Sequence, residues 1–193
     1  MTPKYGKIRR EVTQMLNARR LRHSIGVENM AVKLAGIYGA DVEKCRIAAI
    51  AHDCAKNMSD VDLINLVSND GYKIDSIQGR APQLLHGMAA SILCRDRFGI
   101  MDKEILNAIA YHTTGRAGAS KIEKIIYLSD MIEEGREFPE VNKLREKALT
   151  NLDEAIIMAC DCTLQYIISR GQLIHPMTVE FRNSLLLKNG EKK

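Results

Sequence analysis

The 193-residue chain has no tryptophan, and phenylalanine and tyrosine are scarce, at three and six. Base-stacking platforms for single-stranded nucleic acid need more aromatic surface than this. No apolar run approaches the length of a membrane span. The opening stretch "MTPKYGKIRREVTQ" has no apolar core and no cleavage site of the secretory type. The five cysteines (45, 54, 94, 160 and 162) are odd in number and include no C-x-x-C. That excludes a disulfide framework and a four-sulfur zinc site, and points to reduced thiols in the cytoplasm. The four prolines and 13 glycines form no linker, and no internal repeat is evident. The formal charge of +4 is too mild for a nucleic-acid binder but suits a small polyanionic ligand. A protein with no nucleic-acid partner and no membrane partner is expected.

What remains is helical in pattern. Tyr5, Ile8, Val12, Met15 and Leu16 form one stripe, and Leu21, Ile25, Met30, Leu34 and Ile37 form a second. Asp41 reads as an N-cap for "VEKCRIAAIAHD", Ser59 or Asp60 for "VDLINLVSN", and Asp102 for "KEILNAIAYH". Ser120, with Glu123 three residues on, has the spacing of a capping box. "YKIDSIQGRAP" is the least regular stretch and reads as a loop, after which Pro82 opens another helix. A long helix over about 143–169 and a short one after Pro176 complete the chain. No segment alternates with period two, so an all-α helical bundle is expected, as one domain over 1–193. Its motif core would run over about 20–136, with C-terminal helices over about 143–187.

Some polar residues do not belong in such apolar surroundings. Four of the five histidines, His23, His52, His86 and His112, lie on separate helical segments with apolar neighbours at helical spacing. Asp130 lies inside "IIYLSDMI", where an unpaired carboxylate is expensive. The run "AIAHDCAKN" places His52 and Asp53 directly after a buried-looking helix. Taken singly, each has a bland alternative as a satisfied core histidine, a cap or an ion pair. Together they are the imidazole and carboxylate set of a Zn, Fe, Mn or Co site, and helices can aim them at one interior point. Six donors (His23, His52, Asp53, His86, His112 and Asp130) exceed the need of one ion and suit two. A bridging aspartate would then hold the ions about 3.5–4 Å apart. His52 and Asp53 differ by about 100° around a helix, so they can act together only at a helix end or across two ions. Lys56, one turn beyond His52, could face an anion held there.

These residues resemble the HD-domain superfamily of metal-dependent phosphohydrolases: His23, His52-Asp53 and Asp130 match its H…HD…D pattern, and His86 with His112 resembles the two-metal subgroup. More narrowly the chain resembles the YqeK family, the symmetrical bis(5′-nucleosyl)-tetraphosphatases. The matching stretches are "RLRHSIGVENMAVKLA", "AAIAHDCAK", "LLHGMAA", "AIAYHTTGRAGASKIEKIIYLSDMIEEGREFPEVNKLR" and "LIHPMTVEFRNSLL", in order over about residues 20–187. Ser129, Glu134 and Glu140 stand where that family tends to have Ala, Pro and Gly.

The resemblance implies hydrolysis of diadenosine tetraphosphate to two ADP at a di-iron site, and allows a homodimer. Manganese, cobalt or zinc would suit the same donors. With no serine or cysteine in a nucleophile motif, a metal-activated hydroxide attacking phosphorus is expected, without a covalent intermediate. His23, His52, Asp53 and Asp130 would hold one ion, and His86, His112 and bridging Asp53 the other. Asp53, Asp130 and Lys56 would be catalytic. Arg20, Lys56, Arg116 and Arg136 would meet phosphate, beside His23 and Asp130, and Glu133 the nucleoside. His175, before Pro176, is expected to bind no metal. The rivals are another HD phosphohydrolase, acting on guanosine tetraphosphate, a deoxynucleotide or a cyclic nucleotide, a nucleotide sensor without turnover, and a structural metal bundle.

Overall fold

The structure, a computed structural model, describes residues 5–190; the first four residues of the N-terminal stretch lie outside it. It is all-helical, with no strand among the described residues. The helices are α1 (Tyr5–Met15), α2 (Ala18–Tyr38), α3 (Val42–Ala51), α4 (Asp60–Asn69), α5 (Ser76–Arg80) and α6 (His86–Asp96). They continue with α7 (Lys103–Ala110), α8 (Lys121–Ile132), α9 (Val141–Ala148), α10 (Leu152–Ser169) and α11 (Pro176–Gly190). A single 3₁₀ turn, Pro82–Leu85, leads into α6.

The centre is α3. Its Cys45, Ile47, Ala48, Ala49, Ile50 and Ala51 are all buried, the mark of a helix enclosed on every side. Its alanines let α2, α7 and α8 pack closely around it. The second enclosed helix is α8, buried from Ile122 through Ser129. α10 packs on α8, and α11 packs on α10 in turn, with Phe181 edge-on to Tyr127 at 5.2 Å between ring centroids. α6 packs on α7 without a side chain between them at Gly87, where a Cβ would stand 2.6 Å from the Ala110 carbonyl oxygen.

Most expected caps are present. Asp41, Ser59 and Asp102 accept from backbone N–H groups of the first turns of α3, α4 and α7, and Ser120 and Glu123 form the capping box of α8. Three expectations fail. Residues 75–80 are not loop: Asp75 accepts from Ile77 N (2.7 Å) and Gln78 N (2.8 Å), and Gln78 Oε1 accepts from Asp75 N, a capping box that starts α5. The long helix over 143–169 is two helices, because Asn151 turns to φ −151° and caps α10 through Glu154 N. Leu149 and Leu152 keep the apolar spacing across the break, and this hides it in the sequence. Ile37 is 45% exposed; the buried stripe of α2 runs instead through Ser24, Val27, Glu28, Ala31, Leu34 and Ala35.

The contact at Gly87 brings His86 beside the end of α7, which leads to His112. Gly87→Ala pushes a methyl onto backbone that cannot swing away. It is expected to cost about 1–3 kcal/mol of stability, read from chemical denaturation of the two proteins side by side. Equal midpoints would show that α6 and α7 can part without penalty.

Candidate metal centre and phosphate cleft

α3 ends at Ala51, and the chain continues through tight turns, with Cys54 N on Ala51 O, Lys56 N on Asp53 O and Met58 N on Ala55 O. This change of winding carries His52 and Asp53 inward together. Both are buried, as are His86 and His112.

The three buried histidines are held in the same local way. Nδ1 donates to the carbonyl three residues earlier: His52 to Ala49 (2.6 Å), His86 to Gln83 (2.5 Å), His112 to Ile109 (2.7 Å). Each bond fixes the neutral tautomer with the lone pair on Nε2. All three Nε2 atoms surround Asp53. His86 and His112 lie 3.2 and 3.6 Å from Oδ1, and His52 lies 3.7 Å from Oδ2. His86 Nε2 and His112 Nε2 also face each other at 3.0 Å. Two acceptors and a carboxylate oxygen at such range repel one another unless a cation or proton lies among them. His52 Nε2 is fully buried with no hydrogen-bond partner, an expense a native fold seldom leaves uncompensated.

His23, on α2, completes the set. Its Nε2 is 2.9 Å from Asp130 Oδ1 and 3.9 Å from Asp53 Oδ2. The short approach to Asp130 lacks hydrogen-bond alignment; burial opposes a charge on His23, but Asp130 and Glu133 outweigh it and raise its pKa, so a cation is favoured between the ring and these carboxylates. Nδ1 of His23 faces Glu133 Oε1 at 3.1 Å, and Glu133 Oε2 accepts from Gly135 N at 2.7 Å. Gly26 leaves room for that carboxylate, since a Cβ there would lie 2.4 Å from Oε2.

Ligand atoms of His23, His52 and Asp130 lie within 4.8 Å of one another, as do those of His52, Asp53 and His112. Burial lowers His52 to about 4 and lowers His86 as well, so both rings stay neutral at pH 7, as ligands must. Burial opposes ionisation of Asp53, but the groups that face it, His52 first and then His112 and His86, outweigh it and hold the carboxyl far below its usual range. Burial likewise opposes ionisation of Asp130, and is outweighed by His23 and Arg136. Imidazoles and ionised carboxylates converging on one interior point, with Nε2 of His23 and His52 left without partners, are the chemistry of a divalent-metal site.

Around this point stand the cations. Arg20 donates to Asp53 Oδ2 (3.0 Å), and Arg136 to Asp130 Oδ1 (2.5 Å) and to the Asp130 carbonyl (2.8 Å). Lys56 Nζ lies 3.1 Å from His86 Nε2, and burial lowers its pKa. A cavity of about 170 Å³ opens over the cluster, and a cleft of about 520 Å³ with Arg19, Arg20, Arg22 and Arg136 on its walls adjoins it.

The fold thus gathers His23, His52, Asp53, His86, His112, Asp130, Lys56, Arg20 and Arg136. It does not bring Arg116 to the cleft: that guanidinium makes a bidentate pair with Glu123 (2.5 and 2.9 Å) and lies over the Tyr111 ring. Glu133 lies on the wall of the arginine cleft, with its carboxylate facing His23 Nδ1 and Gly135 N. His175 pairs with Asp75, the cap of α5.

Two residues were not singled out from the sequence. Thr113 Oγ1 is 3.2 Å from both His86 Nε2 and His112 Nε2; its only signal was adjacency to His112. Arg145, on α9, donates to the carbonyls of Ile132 (3.0 Å), Glu133 (2.8 Å), Glu134 (3.3 Å) and Arg136 (2.9 Å). It thereby shapes the loop that delivers Glu133 to His23 and Arg136 to Asp130. Nothing in its spacing announced this.

The family model described as "HD domain" matches residues 20–162. A protein of Halalkalibacterium halodurans named "Bis(5'-nucleosyl)-tetraphosphatase, symmetrical" is 39% identical over 95% of this chain and 97% of its own. One of Bacillus subtilis with the same name is 36% identical over 86% of this chain and 89% of its own. A crystal structure from Clostridium acetobutylicum, described as a "predicted HD superfamily hydrolase involved in NAD metabolism", superposes with a TM-score of 0.93 at 44% identity, covering 96% of this chain and 98% of that one.

Arg145→Ala removes the donors of four carbonyls at once. Charge-assisted bonds of this kind contribute about 1.5–3 kcal/mol net, and a stability loss of that order is expected on denaturation. Hydrolytic turnover should fall in the folded variant too, and Arg145→Lys should restore it only in part, since an ammonium lacks the planar fork. Full activity in Arg145→Ala would separate the loop from the site.

Proposed function

The chain belongs to the HD domain family, and from that premise we propose that it hydrolyses dinucleoside tetraphosphates symmetrically, cutting diadenosine tetraphosphate to two ADP. The name carried by its relatives describes this reaction. The observation that carries it is the pair of buried Nε2 atoms of His23 and His52, which have no hydrogen-bond partner beside Asp53 and Asp130, beneath a cleft walled by arginines. A structural metal site would have no use for that cleft.

Two divalent or transition-metal ions fit the donors better than one. His23, His52, Asp53 and Asp130 would hold the first, and His86, His112 and Asp53 the second. Iron is the proposed metal, and manganese, cobalt or zinc suit the same atoms. When bound, such ions supply Lewis acidity toward phosphate oxygens and acidify a water molecule.

The chain's own residues do the rest. The carbonyl contacts at Ala49, Gln83 and Ile109 hold three imidazoles aimed. Glu133 positions His23 through Nδ1. Arg20 and Arg136, each already on a ligating carboxylate, have donors left to share with phosphate. Lys56 adds charge beside His86, where an oxygen of the leaving phosphate can be neutralised. Water is divided in the reaction: its hydroxyl joins one inner phosphorus, and the bridging oxygen leaves with the other and takes up a proton. Arg116 is left out of this set, because it lines neither the cavity over the cluster nor the arginine cleft and is paired with Glu123. α10 packs on α8, which carries Asp130, so the C-terminal helices act with the motif core as one catalytic unit. A cytoplasmic setting suits the free thiols, and among the described residues no helix is long and apolar enough to cross a membrane.

The test is metal content by elemental analysis and product identification after incubation with diadenosine tetraphosphate. About two ions per chain and ADP alone are expected. AMP with ATP would refute symmetrical cleavage, and bound metal without turnover would assign the site to another nucleotide. His86→Ala and His112→Ala should each lower metal content, with an activity loss beyond the roughly 10–100-fold that follows loss of an outer-shell partner. Unchanged metal and rate in both would sink the two-ion site.

A further inference from the structure

A second opening adjoins the cavity over the metal cluster. It is a cleft of about 730 Å³ between α10 and residues 136–140, and Met131, Arg136 and Thr163 form walls of both spaces. Its character differs from the arginine-lined cleft, with which it shares Arg136. Phe138, Pro139, Cys162 and Tyr166 line it together with Met131, and Glu140, Gln165 and Ser169 are its other polar walls. Tyr166 is 62% exposed, although it lies on a helix whose other face is packed on α8. The arginine cleft, by contrast, has Ile25 as its one large apolar wall.

We propose that this apolar cleft is the seat of one nucleoside of the substrate, so that the two halves of a chemically symmetrical molecule are held in unlike ways. The proposal rests on the hydrolase function proposed above. The order of chemistry along the surface matches the order along half of a dinucleoside tetraphosphate. The metal cluster comes first, where the scissile phosphate must lie. The Arg136 guanidinium follows, on the shared wall, where the outer phosphate next to the nucleoside carries its charge. The aromatic and aliphatic walls come last, where a planar base can leave water. Gln165 and Ser169 offer both donors and acceptors to a base edge or to ribose hydroxyls. The volume is in the range of cavities that enclose small ligands. In the other cleft, Arg19, Arg20 and Arg22 offer charge and no aromatic wall, beside Glu133 and Glu134, so the second half is gripped by its phosphates.

The test takes the metal-loaded full chain. Wild-type turnover of diadenosine tetraphosphate is measured first. Tyr166→Ala removes an exposed side chain, and Cys162→Trp fills the cleft; circular dichroism and metal content verify that each is folded and loaded. Loss of a base-stacking wall should raise KM roughly tenfold, with a much smaller change in kcat, the signature of lost ground-state binding. In parallel, 8-azidoadenosine 5′-diphosphate is photolysed with the wild type, with and without excess ADP, and labelled peptides are mapped. ADP-protected label is expected within residues 138–140 or 162–169. Unchanged KM in Tyr166→Ala, or protected label confined to residues 19–29, overturns the subsite while leaving the hydrolase intact. No turnover by the wild type overturns the hydrolase and the subsite with it.

Discussion

Everything around the site depends on one buried carboxylate. Asp53 is almost wholly removed from solvent, with three imidazole nitrogens and a guanidinium within 3.7 Å of its oxygens. A buried charge is tolerated only when paired, and here the pairing is incomplete: Arg20 is the sole permanent cation among those neighbours, while burial keeps His52 and His86 neutral. The polypeptide by itself leaves electron-rich atoms facing one another, as His86 Nε2 and His112 Nε2 do at 3.0 Å. Such an arrangement persists only if the surrounding helices over-determine it. α3 and α8 are buried along their lengths, and the apolar packing that holds them also holds the polar cluster at their ends. The stability stored in that packing offsets the repulsion that makes the cluster a site for cations.

The local devices are economical. His52, His86 and His112 each follow a helical turn and each donates back to the carbonyl three residues earlier. A helix end has carbonyls without intrahelical partners, so the same bond satisfies an orphan acceptor and turns the imidazole so that Nε2 projects beyond the helix. One contact thus does the work of a cap and of a ligand-orienting group. His23 lies within α2, where the carbonyls are already taken, and its Nδ1 is met by a carboxylate from far along the chain, Glu133. That explains why Gly26 and Arg145 matter. The first makes room for Glu133 and the second shapes the loop that presents it.

What was legible in the sequence follows this division. The six candidate ligands could be read because each is a polar residue in an apolar helical setting, and helices advertise their faces locally. The caps at Asp41, Ser59, Asp102 and Ser120 were legible for the same reason. Partnerships over long separations were not. Arg116 had the right neighbours to meet phosphate, but its conformation is decided by Glu123, whose own task as a capping residue was already visible. The two readings had to be combined to see that Glu123 also faces an arginine. Glu133 was expected to meet the nucleoside; only the packing of α2 against α8 shows its carboxylate beside His23. The break at Asn151 was hidden by leucines that keep apolar phase on both sides, so periodicity argued for continuity where one residue's backbone did not.

Symmetrical cleavage poses a geometric problem that the fold answers without symmetry of its own. A dinucleoside tetraphosphate has three anhydride linkages, and a metal cluster acting on phosphate alone has no reason to prefer the central one. Selection requires a fixed distance between an anchor and the point of attack. The wall shared by Met131, Arg136 and Thr163 provides such a fixed spacing, because Arg136 is tied at once to the Asp130 side chain and to its carbonyl. Arg145 holds the same loop through the Arg136 carbonyl. An anchored nucleoside then sets how many phosphates separate it from the cluster, and the far half needs only charge to hold it. On this view symmetry resides in the products alone: a ruler counting two phosphates from one end leaves two at the other.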